Sequence, residues 1–145
     1  MAIGAGTMIG AGNSIAKDSH NNKSNEPHNW YKEINRASNK ELPLETVKEN
    51  IPRIIVPDMI LPGAILPVKI AVGETPHVMT PHHYIQYIEM YLDNTLWTRT
   101  EFTYFATLAE VSIPIKLNKN ATIKAWAYCN LHGLWESTLD IKVES

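Results

Sequence analysis

The chain has one cysteine, Cys129, in 145 residues. That excludes an internal disulfide and any four-cysteine zinc or iron site, and it leaves the redox compartment unread. An excess of basic residues is also missing. Thirteen Lys and Arg stand against 15 Asp and Glu, for a formal charge of −2 and a pI near 6.3. With no basic stripe to displace counterions, nucleic acid is excluded as a partner. No apolar run approaches the roughly 20 residues that a membrane-spanning helix needs. There is no internal repeat and no βαβ alternation, so a parallel α/β sheet is excluded.

What is present has an ordinary globular balance, with 44% apolar and 19% charged residues. This length can support one core without staples. Met1 to Ala16 is small, apolar and glycine-rich, with no charge before Lys17. It resembles the apolar region of an export signal, and its mild hydropathy resembles twin-arginine signals. The expectation is a remnant of such a signal, its arginine pair upstream, and a periplasmic protein. A simple tail on a cytoplasmic protein is the alternative. "DSHNNKSNEP" (18–27) reads as a disordered linker with His20 solvated. The expected organisation is therefore a signal remnant and linker over 1–27 and a single domain over 28–145.

Within that domain, Trp30, Ile34 and Ala37 fall at i, i+4, i+7 spacing, with Asn29 placed to cap a short helix. "PLETVKEN" offers a second helical turn. After Pro52 the pattern changes to strands. "RIIVP", "ILPVKIAV", "SIPIKL", "ATIKAWAYCN" and "STLDIKVES" read as strands, and "TLWTRTEFTYFATLAEV" supplies one or two more. "YIQYIEMYL" (84–92) fits an amphipathic helix or a strand, and its β-branched and aromatic content favours the strand. Pro57, Pro62 and Pro67 confine their segments to edges or turns. About seven short strands separated by turns predict an all-β, antiparallel β-sandwich.

The histidines are unevenly spread. His77, His82 and His83 crowd into "ETPHVMTPHHYI", and His132 follows Cys129 in "AWAYCNLHGLW". Cys-x-x-His can bind one metal if its loop turns back on itself, and Gly133 permits that turn. Thiolate and imidazole suit iron, copper or zinc. No methionine follows His132, which removes the usual axial ligand of a blue-copper site. Iron or zinc would accept His77, His83, His132 and Cys129 together.

"TPHVMTPHHYIQYIEMY", "RTEF" and "YCNLHGLW" resemble the superoxide reductases of the neelaredoxin type, from about Lys48 to the C-terminus. "NWYKEINR" resembles the short helix preceding the core in some members. The resemblance implies an immunoglobulin-like sandwich with a mononuclear iron that reduces superoxide to hydrogen peroxide. It implies His77, His83 and His132 as equatorial ligands and Cys129 as the axial thiolate, with backbone N–H groups near Asn130 to His132 tuning the sulfur. His82 matches no ligand position and reads as solvated or as a neighbour of a ligand. The fourth histidine of the family falls on Asn50, within "KENIPRI", and the lysine that supplies positive charge falls on Glu49. Lys48 and Arg53 stand close enough to supply charge instead. His28, in "EPH", is a second candidate for the fourth position, and water is a third. Loss of that histidine leaves a non-catalytic iron-binding, electron-transfer or sensor module as the alternative. Turnover implies an external electron donor, rubredoxin-like in the cytoplasm or a cytochrome in the periplasm. A homo-oligomer is left open.

Overall fold

The computed structural model describes residues 28–145; the expected signal remnant and linker lie outside them. Eight strands and one helix follow in chain order: β1 (Asn35–Arg36), α1 (Leu44–Asn50), β2 (Pro52–Ile55), β3 (Ile65–Val72), β4 (Ile85–Leu92), β5 (Thr95–Glu101), β6 (Glu110–Lys116), β7 (Ala121–Cys129) and β8 (Gly133–Ile141). They form a five-stranded sheet, β1-β8-β7-β4-β5, and a three-stranded sheet, β2-β3-β6. Side chains from both sheets meet in one core, so the fold is the expected β-sandwich. Among the described residues no helix is long and apolar enough to cross a membrane.

The alternation of apolar residues dictates which face each strand buries. Along β7, Ile123, Ala125, Ala127 and Cys129 are fully buried, while Lys124, Trp126 and Tyr128 lie on the half-exposed outer face. They pack with Ile85, Ile88 and Met90 of β4 and with Leu66, Val68 and Ile70 of β3. Each such side chain contributes about 1.5–3 kcal/mol by leaving water. The link between β4 and β5 has only two residues, Asp93 and Asn94, both at positive φ. This is the tight turn whose twist matches paired strands.

Two expectations need correction. The segment around Trp30, Ile34 and Ala37 is not helical; the helix forms only at the second candidate, as α1. Asn29 accepts from the Tyr31 N–H at 3.1 Å in a local turn instead of capping a helix. Asn35 and Arg36 then pair with Trp135 and Glu136 of β8, in parallel, so the larger sheet is not wholly antiparallel. Ile34 is only half-buried and Ala37 is exposed, so their spacing marks no buried stripe. The buried residue is Asn35, 1% exposed, whose amide nitrogen serves the carbonyls of Trp30, His132 and Leu134. Pairing and these polar contacts override a weak helical pattern.

Pro57 and Pro62 lie in the connection between β2 and β3, as expected, but Pro67 does not. β3, which holds Pro67, is the central strand of its sheet. Pro67 escapes the ladder penalty because it faces Pro114 of β6, and because the pairing of β2 stops at Lys69. Its missing N–H therefore falls where no ladder bond is needed.

Candidate metal centre

One end of the sandwich gathers three chain segments. The first is the C-terminal end of α1, which carries Glu49 and Asn50. The second is the loop between β3 and β4, with His77 and His83. The third is the β7–β8 turn, with Cys129 as the last residue of its strand and His132 in the loop.

Backbone contacts lock these segments together. The Gly73 N–H donates to the Ile51 carbonyl at 2.9 Å, and the Glu74 N–H to the Lys48 carbonyl at 2.8 Å. Gly73 has φ +89, and a Cβ there would meet the Glu49 carbonyl at 2.8 Å. Only glycine lets the loop press this closely on α1 and bring His77 beside Asn50. Asn130 joins the other two segments. Its amide nitrogen donates to the His82 carbonyl at 2.9 Å, and its oxygen accepts from the Tyr84 N–H at 2.9 Å. The Tyr31 hydroxyl donates to the Asn130 carbonyl.

Cys129 and Gly133 face each other across a three-residue turn. Gly133 sits at φ +70, and a Cβ on it would stand 2.2 Å from the Trp30 carbonyl oxygen. The turn expected of this glycine is therefore present, and so is a second demand on it, the close approach of the N-terminal segment.

The side chains converge. The ligand-capable atoms of His77, His83 and Cys129 all lie within 4.8 Å of one another, as do those of Glu49, His83 and His132. The ring centroids of His77 and His83 are 4.7 Å apart and those of His83 and His132 are 5.1 Å apart, each pair edge to face. His132 Nδ1 stands 3.7 Å from the Cys129 sulfur. Asn50 is fully buried among them. Its Oδ1 lies 3.2 Å from His77 Nε2, and its Nδ2 lies 3.3 Å from His132 Nδ1.

Burial favours the neutral form of two of the imidazoles. Burial lowers the pKa of His77, helped by the neighbouring His83 and His132 and opposed by its bond to the Val78 carbonyl. Burial likewise lowers that of His132, with His83 adding to it and Glu49 opposing. Neutral imidazole is the form that binds metal. Burial pushes the Cys129 thiol up, while the backbone N–H groups of Leu131 and His132 pull it back. A cation beside the sulfur would favour the thiolate.

The cluster fits a metal better than it fits its own hydrogen bonds. His83 Nε2 is buried without a partner. His77 Nδ1 lies 2.6 Å from the Val78 carbonyl, an acceptor, so the ring proton sits there and Nε2 carries a lone pair. Imidazole nitrogens and one sulfur suit iron or zinc.

The remaining candidates stand outside this cluster. His82 is exposed. The exposed ring of His28 packs edge-on against Trp30 at 4.3 Å, and Trp30 packs against His132 at 5.2 Å, so His28 lies one ring removed from the cluster. The Lys48 ammonium pairs with Glu45 at 3.4 Å. Arg53 Nε donates to the Gly73 carbonyl at 2.7 Å. Glu49 approaches His83 Nδ1 at 3.8 Å and also lines a cleft of about 360 Å³ with Glu45, Lys48 and Glu74. That cleft, beside the cluster on the Glu49 side, is therefore more acidic than basic. Sequence reasoning missed Asn35, Asn130 and the covering role of Trp30, because single polar residues in turns carry no periodic signal.

Residues 44–138, from the start of α1 into β8, match the family model described as Desulfoferrodoxin. The superoxide reductase of Pyrococcus horikoshii is 35% identical over 85 residues, which cover 52% of this chain and 74% of that protein. Among solved structures, the superoxide reductase (neelaredoxin) from Ignicoccus hospitalis aligns at a TM-score of 0.67 with 29% identity, covering 77% of this chain and 95% of its own. The superoxide reductase from Nanoarchaeum equitans aligns at 0.57 with 27% identity, covering 65% and 94%. Fold, convergent donors and a match over most of the described residues agree, and the chain belongs to the desulfoferrodoxin family.

Proposed function

We propose that this protein holds one iron ion between His77, His83, His132 and Cys129 and reduces superoxide to hydrogen peroxide with electrons from an external donor. The observation that carries the reading is the convergence of these donors, with His83 Nε2 buried and unpartnered. Ferrous iron in such a site supplies the single electron that, with two protons, turns superoxide into hydrogen peroxide. The chain's own residues do the rest. Val78 holds the His77 ring in one tautomer, Asn130 fixes the two loops in register, and Leu131 and His132 offer their N–H groups to the sulfur. A rubredoxin-like protein or a periplasmic cytochrome would serve as donor, according to whether the protein is cytoplasmic or exported.

The test begins with the visible spectrum of the iron-loaded, oxidised protein. A thiolate-to-ferric band in the red is expected, and Cys129→Ser should abolish it. Pulse radiolysis of the reduced, ferrous protein should then make the red band grow in, as superoxide takes one electron from the iron and two protons and leaves as hydrogen peroxide. Iron-loaded protein without colour, together with preferential zinc binding, would sink the reading.

One observation favours a second reading, an iron-binding or electron-transfer module without superoxide turnover. Glu49 places a carboxylate near His83, and Lys48 and Arg53 are engaged elsewhere. Ferrous protein in which superoxide pulses raise no red band, while a chemical oxidant does, would select it.

A further inference from the structure

We propose that the side-chain oxygen of Asn50 is itself a ligand of the iron, so that the centre is built from three imidazole nitrogens, one carboxamide oxygen and one sulfur. The inference rests on the iron reading above.

The argument is one of hydrogen-bond polarity. Asn50 is 0% exposed, at the last position of α1. Its Nδ2 lies 2.9 Å from the Thr46 carbonyl. A carbonyl only accepts, so that contact fixes which end of the amide is nitrogen. The oxygen must then face His77 Nε2, at 3.2 Å. That nitrogen also carries a lone pair, because the ring proton is committed to Val78. Two acceptors so close in a buried site repel unless a positive centre lies near both. Turning the amide over would relieve this pair only by setting its oxygen against the Thr46 carbonyl. A metal ion accepts both lone pairs, and the partnerless His83 Nε2 belongs to the same cluster.

The structure also separates Asn50 from His28 as the candidate for the fourth position. His28 is exposed and packs on Trp30. A metal-bound water would instead donate to the Asn50 oxygen, and the 13C measurement below separates that arrangement from direct ligation.

The experiment uses wild-type protein and Asn50→Ala, each loaded with ferrous iron, and in parallel with cobalt(II), with circular dichroism as the check on folding. Asn50→Ala should weaken metal binding by at least about tenfold and shift the thiolate band. A folded Asn50→Ala with unchanged affinity and band overturns the inference and leaves the iron reading standing. Wild-type protein that shows no thiolate band, and is unaffected by Cys129→Ser, overturns both. Wild-type protein labelled with 13C at its asparagine carboxamides and oxidised to the ferric form gives a measurement that does not depend on the variant's folding. Pulsed EPR should detect a strong 13C coupling, and its absence overturns the inference.

Discussion

Glu49 stands 3.8 Å from the ring of His83. An anionic substrate approaching from that side meets a carboxylate, and the nearest lysine, Lys48, is turned to Glu45. Local charge of the wrong sign lowers association rates, most of all at low salt. Glu49→Lys should therefore raise the superoxide reaction rate by roughly tenfold at low ionic strength. Pulse radiolysis over a salt series would measure it, and a rate indifferent to both the substitution and salt would remove Glu49 from the account. At this scale the ligand-type residues were legible, because histidine and cysteine have few other reasons to cluster. The orientation of Asn50 was not, since it depends on a carbonyl one helical turn away.

At the scale of elements, the β7–β8 hairpin carries two of the proposed ligands, and its geometry depends on Gly133. Alanine there would hold φ +70 against its preference and push a Cβ to 2.2 Å from the Trp30 carbonyl. Gly133→Ala should cost at least about 1–3 kcal/mol, measured by denaturant unfolding. Gly133→Asn, which tolerates that φ but still carries a Cβ, should recover little. Full recovery would mean that dihedral strain, and not the approach of Trp30, sets the demand. β6 could be read from the alternation of Ile113 and Ile115, and β4 and β7 from their β-branched and aromatic content. β1 could not. A two-residue parallel strand has no period, and its partner Trp135 lies a hundred residues along the chain. The same gap explains why Trp30, Ile34 and Ala37 suggested a helix: spacing reports a local pattern, and pairing with β8 is not local.

For the molecule as a whole, acid sensitivity has an identifiable contributor on the outer face of the larger sheet. Burial alone would raise the Glu136 pKa, but the Trp126 indole N–H and the Arg36 guanidinium outweigh it and hold the carboxyl below its usual 4.5. The indole donates at 2.6 Å and Arg36 Nε at 2.8 Å. A pKa depressed in the folded state means that the unfolded chain binds the proton more readily. The stabilisation is thus complete above about 4.5 and fades as pH falls below it. Glu136→Gln should lower stability at neutral pH and flatten the acid limb of the stability curve. An acid limb of unchanged slope would place the sensitivity elsewhere.

The contact between β1 and β8 also bears on what counts as the smallest working unit. The family match begins at residue 44, yet Trp30 lies against His132, and Asn35 holds the carbonyls on either side of Gly133. A chain trimmed to the matched boundary would keep every proposed ligand and lose the lid over one of them. It should take up iron but release it to chelators faster than the chain beginning at His28, because water would reach His132 from the bared side. In this protein the stretch outside the family match covers the candidate centre.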